Sequence, residues 1–281
     1  MTPPRALTIA GSDSGGGAGL QADLKTFLTC GVHGMSAITA VTVQNSLGVS
    51  GVYPLPAHAV AEQVRAVADD IGVDATKTGM LADADIVCAV ADVVGEVTIG
   101  PLVVDPVCAS QHGDQLLADE ALDALRTRLF PLALLVTPNL PEVRVLTGRV
   151  VTDVAGMVEA ARHLHSYGPR WVLVKGGHLD GPSSVDVLYD GSDVIELERP
   201  RIASRHTHGT GDTLAAATAA ALARGADLLT AVQAGKDFVT AAIEDSFALG
   251  KGLGPVGHFW RLRDLSAPPD PIGSPDADKS T

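Results

Sequence analysis

The chain has 281 residues, 46% of them hydrophobic but only 4% aromatic, and its formal net charge is −13. Its core must therefore be aliphatic, and the length suits one α/β domain near the upper limit for a single core. The acidic balance argues against a nucleic-acid partner, which would need Lys and Arg to displace counterions from phosphates.

The cysteines Cys30, Cys88 and Cys108 make no CxxC and no zinc spacing, and an odd, unpatterned count suits a reducing cytoplasm. The N-terminus "MTPPRALTIAGS" lacks the apolar stretch of a signal peptide, and no run of about 18 apolar residues suggests a membrane span.

In chain order, Leu7 to Ala10 reads as a short buried strand that ends in the loop "GSDSGGGAG". A helix is expected from about Leu20 to Cys30, then a β-branched strand from Ser36 to Gln44. Pro56 opens a helix with Val60, Val64, Val67 and Ile71 on one face. "ATKTGM" holds a strand end, Ala84 to Val94 a helix, and Leu102 to Val104 a strand stopped by Asp105-Pro106. Asp114 to Leu129 reads as helix, Leu132 to Val136 as strand, and two more helices precede a strand from Trp171 to Lys175. Between Val185 and Leu197, two β-rich pieces flank Asp190-Gly191, a hairpin signal. An Ala/Leu helix follows "GTGD", and another runs from Asp227 to about Asp245.

Strands and helices alternate, which predicts an α/β fold with a mainly parallel central sheet and an antiparallel hairpin near one edge. Residues 1–264 read as one domain, and the Pro/Ser/Asp-rich segment 265–281 as a disordered tail.

Ligands of such sheets bind at the carboxyl ends of the strands, so the loops there carry the chemistry. Gly17-x-Gly19-x-x-Ala22 formally matches a dinucleotide fingerprint, but Gln44-Asn45 stands where a ribose-binding acid is needed. The loop reads either as a flexible connection or as backbone that approaches a small ligand closely. Asp105, at a strand end, can close a helix or hold a ligand or metal. Asn139 and Glu142 lie three apart at a helix start and can face one way, although a first-turn Glu is also an ordinary helix feature. Lys175 ends an apolar strand before two glycines, as a lysine facing either an anionic ligand or solvent. "GTGD" places outward amides and a helix dipole where an anion can sit. Asp212 there is a helix-start residue, a catalytic base, or both. His206 and His208 have no third ligand in register for a metal.

"AGSDSGGGAGLQADLKT", "AVTVQN", "TKTGML", "DPV", "TPNLPE", "VKGGH", "THGTGDT" and "GLGPVGHF" occur in this order. Together they closely resemble the hydroxymethylpyrimidine/phosphomethylpyrimidine kinases of thiamine biosynthesis, within the ribokinase superfamily, over roughly residues 5–262. The resemblance implies a ribokinase-like three-layer α/β/α sandwich, ATP and Mg²⁺ as cofactors, a small pyrimidine as substrate, and a cytoplasmic homodimer. It implies that Asp212 activates the acceptor hydroxyl, with Gly209, Thr210 and Gly211 as anion hole and Lys175 neutralising phosphate charge. Asn139, Thr207, Lys175, Gly209 and Gly211 would hold ATP. Glu142, Asn139 and Asp105 would serve the metal. Gln44, Asp23, Gly11, Ala18, Met80 and Val107 match positions around the pyrimidine.

The chain departs from that pattern at Asp212. The best-known members of the family have cysteine there, and the superfamily's pyridoxal and sugar kinases have aspartate. Two other functions stay open on these grounds: a pyridoxal or dual-specificity kinase, and a pyrimidine-binding sensor without catalysis.

Overall fold

The computed structural model describes residues 2–108 and 117–265. It is built on one nine-stranded sheet in the order β3-β2-β1-β4-β5-β6-β7-β8-β9. The strands are β1 (Arg5–Ser12), β2 (His33–Asn45), β3 (Gly48–Pro54), β4 (Ala75–Thr78), β5 (Leu102–Val104), β6 (Leu135–Val136), β7 (Trp171–Val174), β8 (Ser183–Tyr189) and β9 (Val194–Pro200). From β2 across to β7 all pairings are parallel, and β3, β8 and β9 join antiparallel at the two margins.

Helices cover both faces: α1 (Gly19–Thr29), α2 (Ala57–Asp70), α3 (Ala84–Glu96), α4 (Asp119–Ala124), α5 (Leu140–Thr147), α6 (Val154–His165), α7 (Thr210–Ala223) and α8 (Leu228–Glu244). Alternate strand residues serve opposite layers, as the period of two requires. Leu7, Ile9, Leu102, Val104, Val172 and Val174 pack with helices α2 to α6. Ala6, Val103 and Leu173 pack with α1, α7 and α8. This is the expected three-layer α/β/α sandwich.

Helix α7 is buried nearly all round, from Thr213 through Ala220. A helix with no wet face needs small apolar residues, which explains the run "LAAATAAA". In α8, Gly235 lets that helix come against Thr218 and the Leu214 carbonyl of α7. The start of α7 is thus fixed by packing well away from it.

Three expectations need correction. Strand β3 was not expected, because Gly48, Gly51 and Pro54 read as breakers and its residues are nearly all exposed, with no buried alternation. As an edge strand it keeps its place by backbone pairing with β2 and a bond from Ser50 Oγ to the Val43 carbonyl. Strand β6 has only two residues, since Leu125–Leu129 continue as a wide π turn and Phe130–Leu132 as a 3-10 turn over Pro131. Helix α4 starts at Asp119, and residues 114–116 of the expected helix lie outside the described residues, as does the expected tail from residue 266 on. The two helices before β7 and the β8–β9 hairpin stand where expected.

Candidate active site

The carboxyl ends of β1, β4, β5, β6 and β7 carry the loops that meet the start of α7. Gly209 precedes that helix with φ 82°, and a Cβ on it would fall on the Gly17 carbonyl oxygen. Only glycine fits, so the loop after β1 seats directly on the helix start. No side chain caps α7. The Thr210 amide donates to the Thr207 carbonyl at 3.2 Å, and the Gly211 and Asp212 amides that follow are placed for an anion, which the helix dipole also favours. A Cβ on Gly211 would lie 3.2 Å from Lys175 Nζ and 3.5 Å from Asp105 Oδ2. The lysine expected to meet phosphate therefore rests against the same turn. Thr210 Oγ1 donates to the Thr207 carbonyl at 2.7 Å, so that hydroxyl is used inside the turn.

Asp212 follows in the first turn with its side chain 16% exposed. Its Oδ1 accepts from Lys77 Nζ at 3.1 Å, and the Gly19 amide also donates to it. Burial pushes its carboxyl up, but Lys77, the Gly19 amide and Lys175 outweigh that and hold it below the usual carboxylate range. Lys77 is fully buried on β4 and reaches both oxygens of Asp23 at 3.0 Å. Thr8 Oγ1 donates to Asp23 Oδ2 at 2.6 Å. Burial raises Asp23 to about 7, with Lys77 opposing and the Asp212 charge adding to the rise.

Lys175 just follows β7. Its Nζ donates to Asp105 Oδ1 at 2.8 Å, and Thr137 Oγ1 donates to the same oxygen at 2.9 Å. Burial pulls the Lys175 ammonium down, but Asp105 and Glu142 raise it further, so it stays a cation. Asn139 and Glu142 close a reciprocal capping box at the start of α5: Glu142 N donates to Asn139 Oδ1, and Asn139 N donates to Glu142 Oε2, each at 2.8 Å. The helix-start reading of that pair thus holds, and the cap leaves Glu142 Oε1 outside its bonds. Burial lifts Glu142 to about 8, Lys175 opposes this, and Asp105 adds to it.

Among the described residues no three His, Cys, Asp or Glu side chains converge as a direct metal cage. Glu142 and Asp105 nonetheless put two buried carboxyls beside one lysine. That donor set fits Mg²⁺ held largely through its own waters, as Mg²⁺ prefers beside phosphates.

The glycine-rich loop after β1 wraps around a carboxylate. Gly15, Gly17 and Ala18 amides donate to Asp13 at 2.8, 2.9 and 2.8 Å, and His208 Nε2 lies 3.1 Å from Asp13 Oδ2. Those amides are therefore occupied, and the glycines serve the wrap and its close contact with His208 and Gly209. The same His208 nitrogen lies 3.2 Å from Gln44 Nε2, but a nitrogen that donates to Asp13 has no lone pair left to accept from that amide, so it can bond only one of the two. Thr42 Oγ1 lies 3.1 Å from Gln44 Oε1. A cavity of about 320 Å³ opens on the outer side of this loop, between Asp13, His208, Asn45 and Leu253, and neither Asp212 nor Lys175 lines it.

Asp13 makes a pH prediction possible. Burial raises its carboxyl, but His208 and the loop amides bring the net value below the ordinary range. A depressed folded value adds stability that is present above the unfolded value, about 3.9, and is lost as pH falls through the folded one. Urea melts between neutral and strongly acid pH should show Asp13→Asn with a flatter acid side than the parent. Parallel curves would mean that the Asp13 charge contributes nothing.

The residues expected at the site are brought together in part. Asp212, Lys175, Gly209, Gly211 and Asp105 meet around one turn. A Cβ on Gly11 would fall on Met80 Cε, so these two pack against each other. Val107 is half-buried just beyond Asp105. Ala18 sits at the end of the wrapped loop, and Thr207 is exposed. Asp23 needs correction: it is fully buried against Lys77 and Thr8, so it can act on a ligand only through Lys77. His206 Nδ1 accepts from the Gly254 amide of the C-terminal segment, and His208 Nε2 meets Asp13.

Lys77, Asp13 and Thr137 were not given roles from the sequence. Lys77 had a signal. A lysine between two threonines in the four-residue strand "ATKT" has to find a carboxylate if that strand is buried.

A family model described as phosphomethylpyrimidine kinase matches residues 13–257. The hydroxymethylpyrimidine/phosphomethylpyrimidine kinase of Streptomyces coelicolor is 56% identical over 93% of this chain and 97% of its own length. A pyridoxal kinase of Bacillus subtilis, solved as an ADP complex, superposes with a TM-score of 0.87 at 43% identity, covering 93% of this chain and 99% of its own. A phosphomethylpyrimidine kinase structure from Clostridium difficile gives a TM-score of 0.76 at 40% identity, over 85% of this chain and 99% of its own.

Proposed function

The chain belongs to the phosphomethylpyrimidine kinase family, and from that premise we propose that the turn at Gly211 is where ATP phosphorylates a hydroxymethylpyrimidine and then its monophosphate. The substrate is 4-amino-5-hydroxymethyl-2-methylpyrimidine, and the diphosphate product feeds thiamine diphosphate synthesis. The observation that supports this most is the meeting of a base and a phosphate cation at one uncapped helix start: Asp212 in its first turn and Lys175 against Gly211.

In the first step the hydroxymethyl oxygen gives its proton to Asp212 and bonds the γ-phosphorus. The bond from that phosphorus to the bridging oxygen breaks, and ADP leaves. Lys175 and the α7 amides stabilise the charge on the transferring group, which carries most of the catalysis in phosphoryl transfer. Asp212 is a weak base, and a positioned weak base suffices there. Mg²⁺ bound with ATP would be held through its waters by Glu142, Asn139 and Asp105 and would neutralise phosphate charge. ATP would also meet Asn139, Thr207, Gly209 and Gly211, and the pyrimidine would lie among Gly11, Ala18, Gln44, Met80 and Val107.

The second step differs. Its nucleophile is an oxygen of the monophosphate, whose second pKa is about 6, so near neutral pH it is already ionised and needs no base. One site can therefore serve both steps with Asp212 essential only to the first.

Two lesser points complete the proposal. The edge ribbon β2–β3 exposes Val41, Val43, Leu47, Val49, Val52 and Tyr53, which supports a homodimer. No helix among the described residues is long and apolar enough to cross a membrane, and we place the enzyme in the cytoplasm.

Pyridoxal is the competing substrate, since it also bears a hydroxymethyl group on a heteroaromatic ring and the Bacillus subtilis structure is of a pyridoxal kinase. Parallel assays give the answer. We expect kcat/KM for the pyrimidine to exceed that for pyridoxal by about tenfold or more, the discrimination typical of one or two lost polar or apolar contacts. A higher value for pyridoxal would reverse the assignment.

A further inference from the structure

Asp212 lies over a buried charge cluster that the two phosphorylations as derived do not use. Lys77 comes from β4, Asp23 from α1 and Thr8 from β1, so three elements converge under the first turn of α7. Lys77 and Asp23 are both fully buried. A buried ammonium between two carboxylates is costly unless its geometry is tightly met, and here all its recorded partners are at hydrogen-bond distance: 3.0 Å to each oxygen of Asp23 and 3.1 Å to Asp212 Oδ1. Next to it, a Cβ on Gly79 would lie 3.0 Å from Lys77 Nζ and 3.8 Å from Asp212 Oδ1. Glycine there leaves room for the lysine to reach the aspartate.

A cluster meant only for stability has no need to end at the base. This one spends one lysine contact on Oδ1 of the residue that takes the proton, on a carboxylate that the Gly19 amide also meets. Asp23, bonded from the far side by Thr8, keeps the ammonium from moving.

We propose that Lys77, braced by Asp23, is a positioning residue for the first phosphorylation: it holds the Asp212 carboxylate in place for the substrate hydroxyl. This rests on the kinase reading above and adds two residues to it. It also gives the aspartate at this position a reason, because a carboxylate can accept a bond from the anchoring ammonium and still take up a proton.

A double-mutant cycle tests it, with the two phosphorylations measured separately. Lys77→Met should lower kcat of the first step by about 10²-fold, the scale of a misplaced catalytic group, with KM for ATP and the second step nearly unchanged. In an Asp212→Asn background the same change should cost the first step almost nothing more, since the group that it positions is gone. If Lys77→Met does not fold, Lys77→Met with Asp23→Asn removes the cation together with one carboxylate, keeps the cluster's net charge, and should show the same selective loss. Equal losses in both steps, or a full further loss on top of Asp212→Asn, would overturn the proposal and make the cluster a purely structural one. Parent protein that phosphorylates neither substrate would instead overturn the kinase reading, so the two failures are separable.

Discussion

Replacing Asp212 with asparagine is expected to slow the first phosphorylation by roughly 10²-fold or more, the usual contribution of a general base, and to leave the second within a few fold. Asparagine keeps the size of the side chain and an oxygen for Lys77 and the Gly19 amide. It removes only the ability to accept the proton. The hydroxymethyl group carries that proton into the transition state of the first step, whereas the monophosphate has already lost its own. Stopped-time assays started from the alcohol and, separately, from the monophosphate would read the two rates. Equal rates for parent and variant from the alcohol would reduce Asp212 to a helix-start residue.

Lys175→Met should produce the opposite pattern: both steps fall together. The ammonium answers charge on the transferring phosphoryl group, which is the same in both, and loss of one such donor typically costs about 10²–10³-fold in kcat. Stability should fall as well. Asp105, 2% exposed, loses its ion pair and keeps only Thr137 on that oxygen, and breaking a buried pair costs about 3–5 kcal/mol. Thermal melts without ligand and kcat for each step provide the check. A variant with the parent's kinetics would remove Lys175 from the site, however much its melting temperature drops.

The parallel core could be read from the sequence because each strand is a short aliphatic run closed by a loop residue, as in "LVV" before Asp105 and "WVLV" before Lys175. Strand β3 could not, because an exposed edge strand needs no apolar alternation and tolerates Gly51 and Pro54. That the strand-end polar residues and the glycine turn lie together was legible, because loops at the carboxyl ends of parallel strands converge on one edge of the sheet. The buried part was not. Asp23 looks in the sequence like any polar residue on a helix facing the site, and only the fold shows its carboxylate under Lys77 with no exposure. Asp13 stayed hidden similarly. A loop of glycines suggests free amides, and the sequence does not show that an aspartate in the same loop takes them.

The chain's departure at Asp212 from the cysteine of the best-known family members also gains a physical setting. A carboxylate bonded by Lys77 and the Gly19 amide is held below the usual carboxylate range, so the first turn of α7 carries a proton acceptor near neutral pH.

The most direct test of two phosphorylations at one site is to incubate the protein with ATP, Mg²⁺ and the hydroxymethylpyrimidine and follow the products by mass. The monophosphate should appear first and then give way to the diphosphate, with one ADP formed for each phosphoryl group transferred. A reaction that leaves the pyrimidine unmodified while ATP remains intact would contradict the account.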